Sequence, residues 1–182
     1  MRDLYRIQKR RWGQVMKRTR DGMPRVDFLG TGNAFSPPGR MHALALIDDS
    51  ILIDTPPTLL AQLRRSGFSG SDIKHILFTH WHGDHNFGFP FLILDRKYIS
   101  DREGEASLDV YLRPGGIDIL ESLCTLGFPG SLESLDDIID WHESEYDEIG
   151  DTGWKFYRFP VLHNPDTDPH GYELVHESGF RL

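Results

Sequence analysis

At 182 residues the chain is long enough for one domain with its own core, since a domain of this size buries roughly 70% of its unfolded surface. Hydrophobic residues make up 38% and aromatics 12%, which excludes an intrinsically disordered chain; no run of 18 apolar residues occurs, which excludes a membrane-spanning helix. The formal net charge of −8 is unevenly placed: residues 1–22 hold eight Lys and Arg against Asp3 and Asp21, a formal +6 that leaves −14 for the rest.

Residues 1–22 read as a basic N-terminal extension and residues 23–182 as a single domain. The extension either touches phosphates or an anionic membrane surface, or is a leader outside the fold, with Met23 directly before the first strand-like segment. It lacks the apolar centre of a secretory signal. The single cysteine, Cys124, suits a reducing cytoplasm, the expected location.

Residues 26–29 read as a short strand running into the turn-forming Gly30-Thr31-Gly32-Asn33. Residues 43–47 and 51–54 alternate as two strands joined by Asp48-Asp49-Ser50, a hairpin. Pro56-Pro57 opens a helix through Leu59, Leu60 and Leu63, which Gly67 stops. Residues 75–79 form a buried strand that delivers the chain to His80. The apolar stretch 87–94 reads as helix disturbed by Gly88 and Pro90. Residues 108–112 give another strand. The helix after Gly115 presents Ile117, Leu120, Leu123 and Leu126 on one face, with Cys124 as small core filler rather than a nucleophile. Residues 133–151 carry nine acidic side chains and no Lys or Arg, a solvated acidic face. Residues 154–162 alternate as a strand ending at His163, and 172–176 and 180–182 form strands around a Glu177-Ser178-Gly179 turn.

The chemistry is concentrated in Thr79-His80-Trp81-His82-Gly83-Asp84-His85. Imidazole nitrogen and carboxylate oxygen are the donors preferred by zinc and similar ions. In extended chain, positions i and i+2 point the same way, so His80 and His82 can chelate one ion. Gly83 allows a sharp turn that aims Asp84 and His85 at a second point nearby. Two ions about 4 Å apart then hold water and an anionic substrate oxygen together.

His80-x-His82-x-Asp84-His85 behind a hydrophobic strand resembles the signature of the metallo-β-lactamase superfamily. Phe28-Leu29-Gly30-Thr31-Gly32-Asn33-Ala34, Leu52-Ile53-Asp54-Thr55-Pro56, and Phe159-Pro160-Val161-Leu162-His163 followed by Gly171-Tyr172-Glu173-Leu174 resemble blocks of its ribonuclease Z and phosphodiesterase branch. The resemblance implies an α/β fold, the metallo-β-lactamase αββα sandwich. It implies a hydrolase with two divalent ions, zinc first and manganese or iron as alternatives. His80, His82 and His163 would hold one ion and Asp84 and His85 the other. Asp84 would also orient or deprotonate the attacking water. Asp54 would steady a ligand through hydrogen bonds without touching an ion; the plainer alternative is that it caps the helix after Pro57. His163 has its own plain alternative, a strand-end histidine. His170 reads as an exposed loop residue. The substrate class implied is a phosphodiester, an RNA 3′ end among the options, with another ester such as a lactone or thioester as the alternative.

The family pattern continues with a Gly-Asp-Thr-like block and a later histidine, and neither follows Tyr172 here. The sequence therefore reads as truncated at its C-terminus, with room for a single ion, little turnover and unfinished faces through which two copies can pair.

Overall fold

The computed structural model describes residues 23–132 and 134–182; the basic extension over residues 1–22 lies outside the described residues. Among them, strands β1 (Val26–Gly30), β2 (Leu44–Ile47), β3 (Ile51–Ile53), β4 (His75–Leu77), β5 (Asp109–Leu112) and β6 (Asp140–Glu143) form one sheet in sequential order. β1, β2 and β3 pair antiparallel, and β3 through β6 run parallel. A second, antiparallel sheet holds β7 (Tyr146–Glu148), β8 (Trp154–Pro160) and β9 (His170–His176). The helices are α1 (Leu59–Arg65), α2 (Gly83–Asn86), α3 (Phe89–Asp95) and α4 (Gly116–Gly127).

The two-residue period of the central strands separates two apolar layers. Leu46, Leu52, Ile76 and Val110 meet Leu59 and Leu63 of α1, Phe89, Leu92 and Ile93 of α3, and Leu120 and Cys124 of α4. Their sequence neighbours Ile47, Ile51, Leu77 and Tyr111 face the other way, onto Trp154, Phe156 and Leu174 of the second sheet. Strands buried on both faces are continuously apolar for this reason, as in Ile51-Leu52-Ile53 and His75-Ile76-Leu77. The order is helices, large sheet, small sheet, and none of the described helices is long and apolar enough to cross a membrane.

The β2–β3 turn is the expected hairpin, with Asp48 and Asp49 at positive φ, a conformation that aspartate tolerates better than most residues. Asp48 also ties the layers together, accepting from the Arg25 backbone N–H and from Trp154 Nε1, each at 2.7 Å. Gly88, at the start of α3, packs against the chain at Pro56: a Cβ there would lie 2.0 Å from the Pro56 carbonyl oxygen. On α4 the expected face is narrower: Leu120 and Cys124 are fully buried, and Leu126 is exposed. The buried Cys124 thiol is pushed up to about 12, by burial first and then by Glu121. Because the thiolate is the reactive form, Cys124 is expected to resist maleimide in the native protein and to react on denaturation; rapid native labelling would contradict this placement.

Two differences from the sequence reading concern strands. The acidic stretch supplies β6 and β7 at the ends of the two sheets rather than only a solvated face. Residues 180–182 make a single bridge, Val175 with Arg181, and flanking backbone hydrogen bonds rather than a full strand.

Candidate metal centre

Parallel strands gather loops at their C-terminal ends, where ligands of open α/β sheets bind. Asp54 follows β3, and the segment from Thr79 to His85 follows β4. The loops are fastened together by Asp54 N–H to the Leu77 carbonyl at 2.8 Å and Thr55 N–H to the His85 carbonyl at 2.7 Å. From the second sheet, the turn after β8 brings in His163.

His80, His82 and His163 converge. His80 Nε2 and His163 Nε2 each lie 3.1 Å from His82 Nδ1, and the three rings are pairwise 4.9 Å apart. Imidazoles at about 2.0–2.1 Å from a tetrahedral ion are separated by about 3.3 Å, so the spacing suits one zinc-sized cation. Among the described residues this is the one set of three His, Cys, Asp or Glu side chains with converging donor atoms.

Asp54 controls which nitrogens are free. The residue is buried and adopts a positive φ of 68°. Its Oδ1 accepts the Thr79 backbone N–H at 2.8 Å, and its Oδ2 accepts both the Thr79 hydroxyl at 2.8 Å and His85 Nδ1 at 2.7 Å. Having donated its proton to Asp54, the Thr79 hydroxyl can only accept from His80 Nδ1, 2.9 Å away. His80 therefore carries its proton on Nδ1 and presents the Nε2 lone pair to His82 and His163. His85 likewise keeps its proton on Nδ1 and presents Nε2, 3.5 Å from Asp84 Oδ2. One carboxylate thus sets two imidazole tautomers, as the partners of metal-ligating histidines do.

The electrostatics of the two positions differ. Burial, then the neighbouring His85, push His80 down to about 4, so it is neutral at physiological pH. Burial alone lowers His85, but its hydrogen bond to Asp54 and the charges of Asp54 and Asp84 outweigh it and leave its pKa raised. A depressed folded-state value means that His80 stabilises the metal-free fold fully above about pH 6.5, and that this contribution is lost as pH falls from there toward about 4. In a proton NMR titration of metal-free protein, the His80 ring is expected to titrate near 4; a midpoint near the ordinary histidine value would contradict the enclosed site.

The structure brings His80, His82, Asp84, His85, His163 and Asp54 into one cluster. The side chain of Asp54 does not cap α1, whose N-cap residue is Thr58. His170 departs from expectation: it is 5% exposed at the start of β9, and its Nδ1 bonds the Asp168 carbonyl. Burial and the nearby Arg158 charge lower its pKa. The sequence reading also missed Thr79 as the link between Asp54 and His80, although a hydroxyl directly before the first histidine was the available signal.

The family model described as Anti-Pycsar protein Apyc1 matches residues 24–176. The ribonuclease Z of Picrophilus torridus is 33% identical over 105 residues, covering 56% of this chain and 33% of that protein. A diphosphatase of the PhnP family superposes with a TM-score of 0.63 at 24% identity, covering 84% of this chain and 63% of that one. The metallo-β-lactamase fold protein YhfI from Bacillus subtilis gives a TM-score of 0.67 at 14% identity, covering 87% of this chain and 61% of that one. The chain spans about a third of the length of the curated ribonuclease Z relatives it matches.

Proposed function

The chain belongs to the Anti-Pycsar protein Apyc1 family, within the metallo-β-lactamase superfamily and its ribonuclease Z-like branch, and from that premise we propose that it is a metal-dependent phosphodiesterase. The observation that carries this reading is the convergence of three imidazole nitrogens from the loops after β4 and β8, with 3.1 Å contacts at His82. His80, His82 and His163 would hold the first divalent ion, zinc by donor type with manganese or iron as substitutes. Asp84 and His85 would contribute to a second. Bound there, the metal supplies Lewis acidity toward a phosphoryl oxygen and lowers the pKa of water toward ~7.

The protein's own part is positional and protonic. Asp84, in this reading, would orient the attacking water through a carboxylate oxygen and take up its proton. Asp54 and Thr79 keep the histidine lone pairs aimed inward at no rearrangement cost during reaction. The substrate class proposed is a phosphodiester, in line with the ribonuclease Z relatives.

A single-ion reading has one observation in its favour: among the described residues only the first position gathers three donors. The experiment that separates these readings is equilibrium dialysis with zinc or manganese, followed by assay on bis(p-nitrophenyl) phosphate and on a simple lactone. Chelator-sensitive cleavage of the phosphodiester is the expected result. Two ions per chain support the dinuclear centre and one ion the alternative. Failure to take up any divalent ion, or lactone cleavage alone, overturns the proposal.

A further inference from the structure

The segment carrying His163 is fastened to the segment carrying His80 and His82 at three points. Trp81 N–H donates to the Thr167 carbonyl at 3.0 Å, and His170 N–H donates to the Thr79 carbonyl at 3.1 Å. The Tyr172 hydroxyl donates to the Phe78 carbonyl at 2.6 Å. The first two are main-chain bonds that almost any sequence can make. The third depends on one side chain, and its acceptor, the Phe78 carbonyl, lies two residues before His80.

That side chain is unusually well held. The Tyr172 ring meets Phe156 edge-on at 5.5 Å, and the Arg158 guanidinium lies 5.2 Å from the Tyr172 ring and 5.3 Å from Phe156. All three guanidinium nitrogens of Arg158 are shielded from solvent and have no hydrogen-bond partner among the described residues. A shielded, unpaired cation is costly unless something compensates, and two aromatic faces supply part of that compensation. The arrangement fixes the ring from which the hydroxyl reaches across to Phe78. Burial, working against the Arg158 charge, keeps the phenol protonated and able to donate. The loop it restrains is otherwise exposed at Val161 and Leu162.

We propose that Tyr172, pinned by Arg158, is a positioning residue for the metal centre, holding the His163 loop in register with His80 and His82. The proposal rests on the assignment of those histidines as ligands. Metal sites tolerate ligand displacements of only about 0.2 Å, so a tether between the two ligand-bearing segments acts on affinity. A tyrosine with a merely structural role would lower stability on losing its hydrogen bond and leave metal binding unchanged.

The experiment uses the full chain and cobalt(II) as the probe, with affinity read by competition against a chromophoric chelator and geometry by the visible spectrum of the bound ion. Tyr172→Phe keeps the ring and removes the hydroxyl. It is expected to weaken cobalt binding about 10–100-fold, the range for groups that orient ligands, and to alter the spectrum while far-ultraviolet dichroism stays native. Arg158→Met keeps the hydroxyl and removes the pinning charge; it is expected to shift affinity in the same direction, and it serves where Tyr172→Phe folds poorly. Wild-type affinity and spectrum in either folded variant overturn the proposal. His163→Ala is the reference: if wild type binds no cobalt, or His163→Ala binds as tightly as wild type, the ligand assignment itself fails. A weakened His163→Ala beside an unchanged Tyr172→Phe defeats only the positioning role.

Discussion

Replacing His82 with alanine is expected to weaken zinc binding roughly 100–1,000-fold while leaving the fold intact. His82 Nδ1 is the middle atom of the cluster, 3.1 Å from both His80 Nε2 and His163 Nε2, so its loss leaves two donors that no longer share a neighbour. Structural zinc sites contribute about 10–16 kcal/mol spread over four ligands, or about 2.5–4 kcal/mol each, which corresponds to a loss of roughly two to three decades in affinity. His82 is only half-buried and belongs to no strand, so its removal opens no core cavity. Chelator competition for affinity and circular dichroism for the fold check this, with His176→Ala, outside the cluster, as the control. Equal affinity in His82→Ala and wild type would remove His82 from the ligand set.

Asp54→Ala is expected to damage both the fold and the site, lowering stability by about 3 kcal/mol. Alanine at a φ of 68° carries a left-handed penalty of about 1–2 kcal/mol. The half-buried Thr79 donors lose their acceptor, at up to about 1–3 kcal/mol for an unsatisfied group. Asp54→Asn separates the two costs. Asparagine tolerates the left-handed backbone, so part of the stability returns. Its amide, however, cannot accept at both ends, and at least one of Thr79 N–H, Thr79 hydroxyl and His85 Nδ1 faces a donor. Metal affinity is therefore expected to stay about 10–100-fold down in both variants. Urea denaturation gives the stability and dialysis the affinity; an Asp54→Ala protein as stable as wild type would refute the role of this carboxylate.

The sequence made the centre of this arrangement readable for a physical reason. A buried strand, His75-Ile76-Leu77, running directly into three imidazoles and a carboxylate has few meanings other than a metal site at the end of a sheet. Asp54 was legible at lower resolution: its position after an apolar strand marked it, whereas its positive φ and its two-tautomer role depend on contacts 25 and 31 residues away. β6 and β7 were hidden because short strands at the ends of sheets need few apolar residues. Asp140-Trp141-His142-Glu143 pairs with a single neighbour in its sheet, β5. His170 was misread because the residues before it, Asp168 and Pro169, are loop-like, whereas its backbone is tied to Thr79 and its ring lies against Tyr172 of the same strand.

The placement of His163 in the turn after β8 of the small sheet and of His82 in the loop after β4 of the large one has a thermodynamic corollary. The two are 81 residues apart in the chain, so a shared cation acts as a cross-link that closes a long loop in any partly unfolded state. Loop-closure entropy grows with the logarithm of length, and clips across long spans restrain the unfolded chain most. Metal loading should therefore raise the melting temperature and merge the opening of the two sheets into one cooperative transition, whereas the metal-free chain can release the small sheet first.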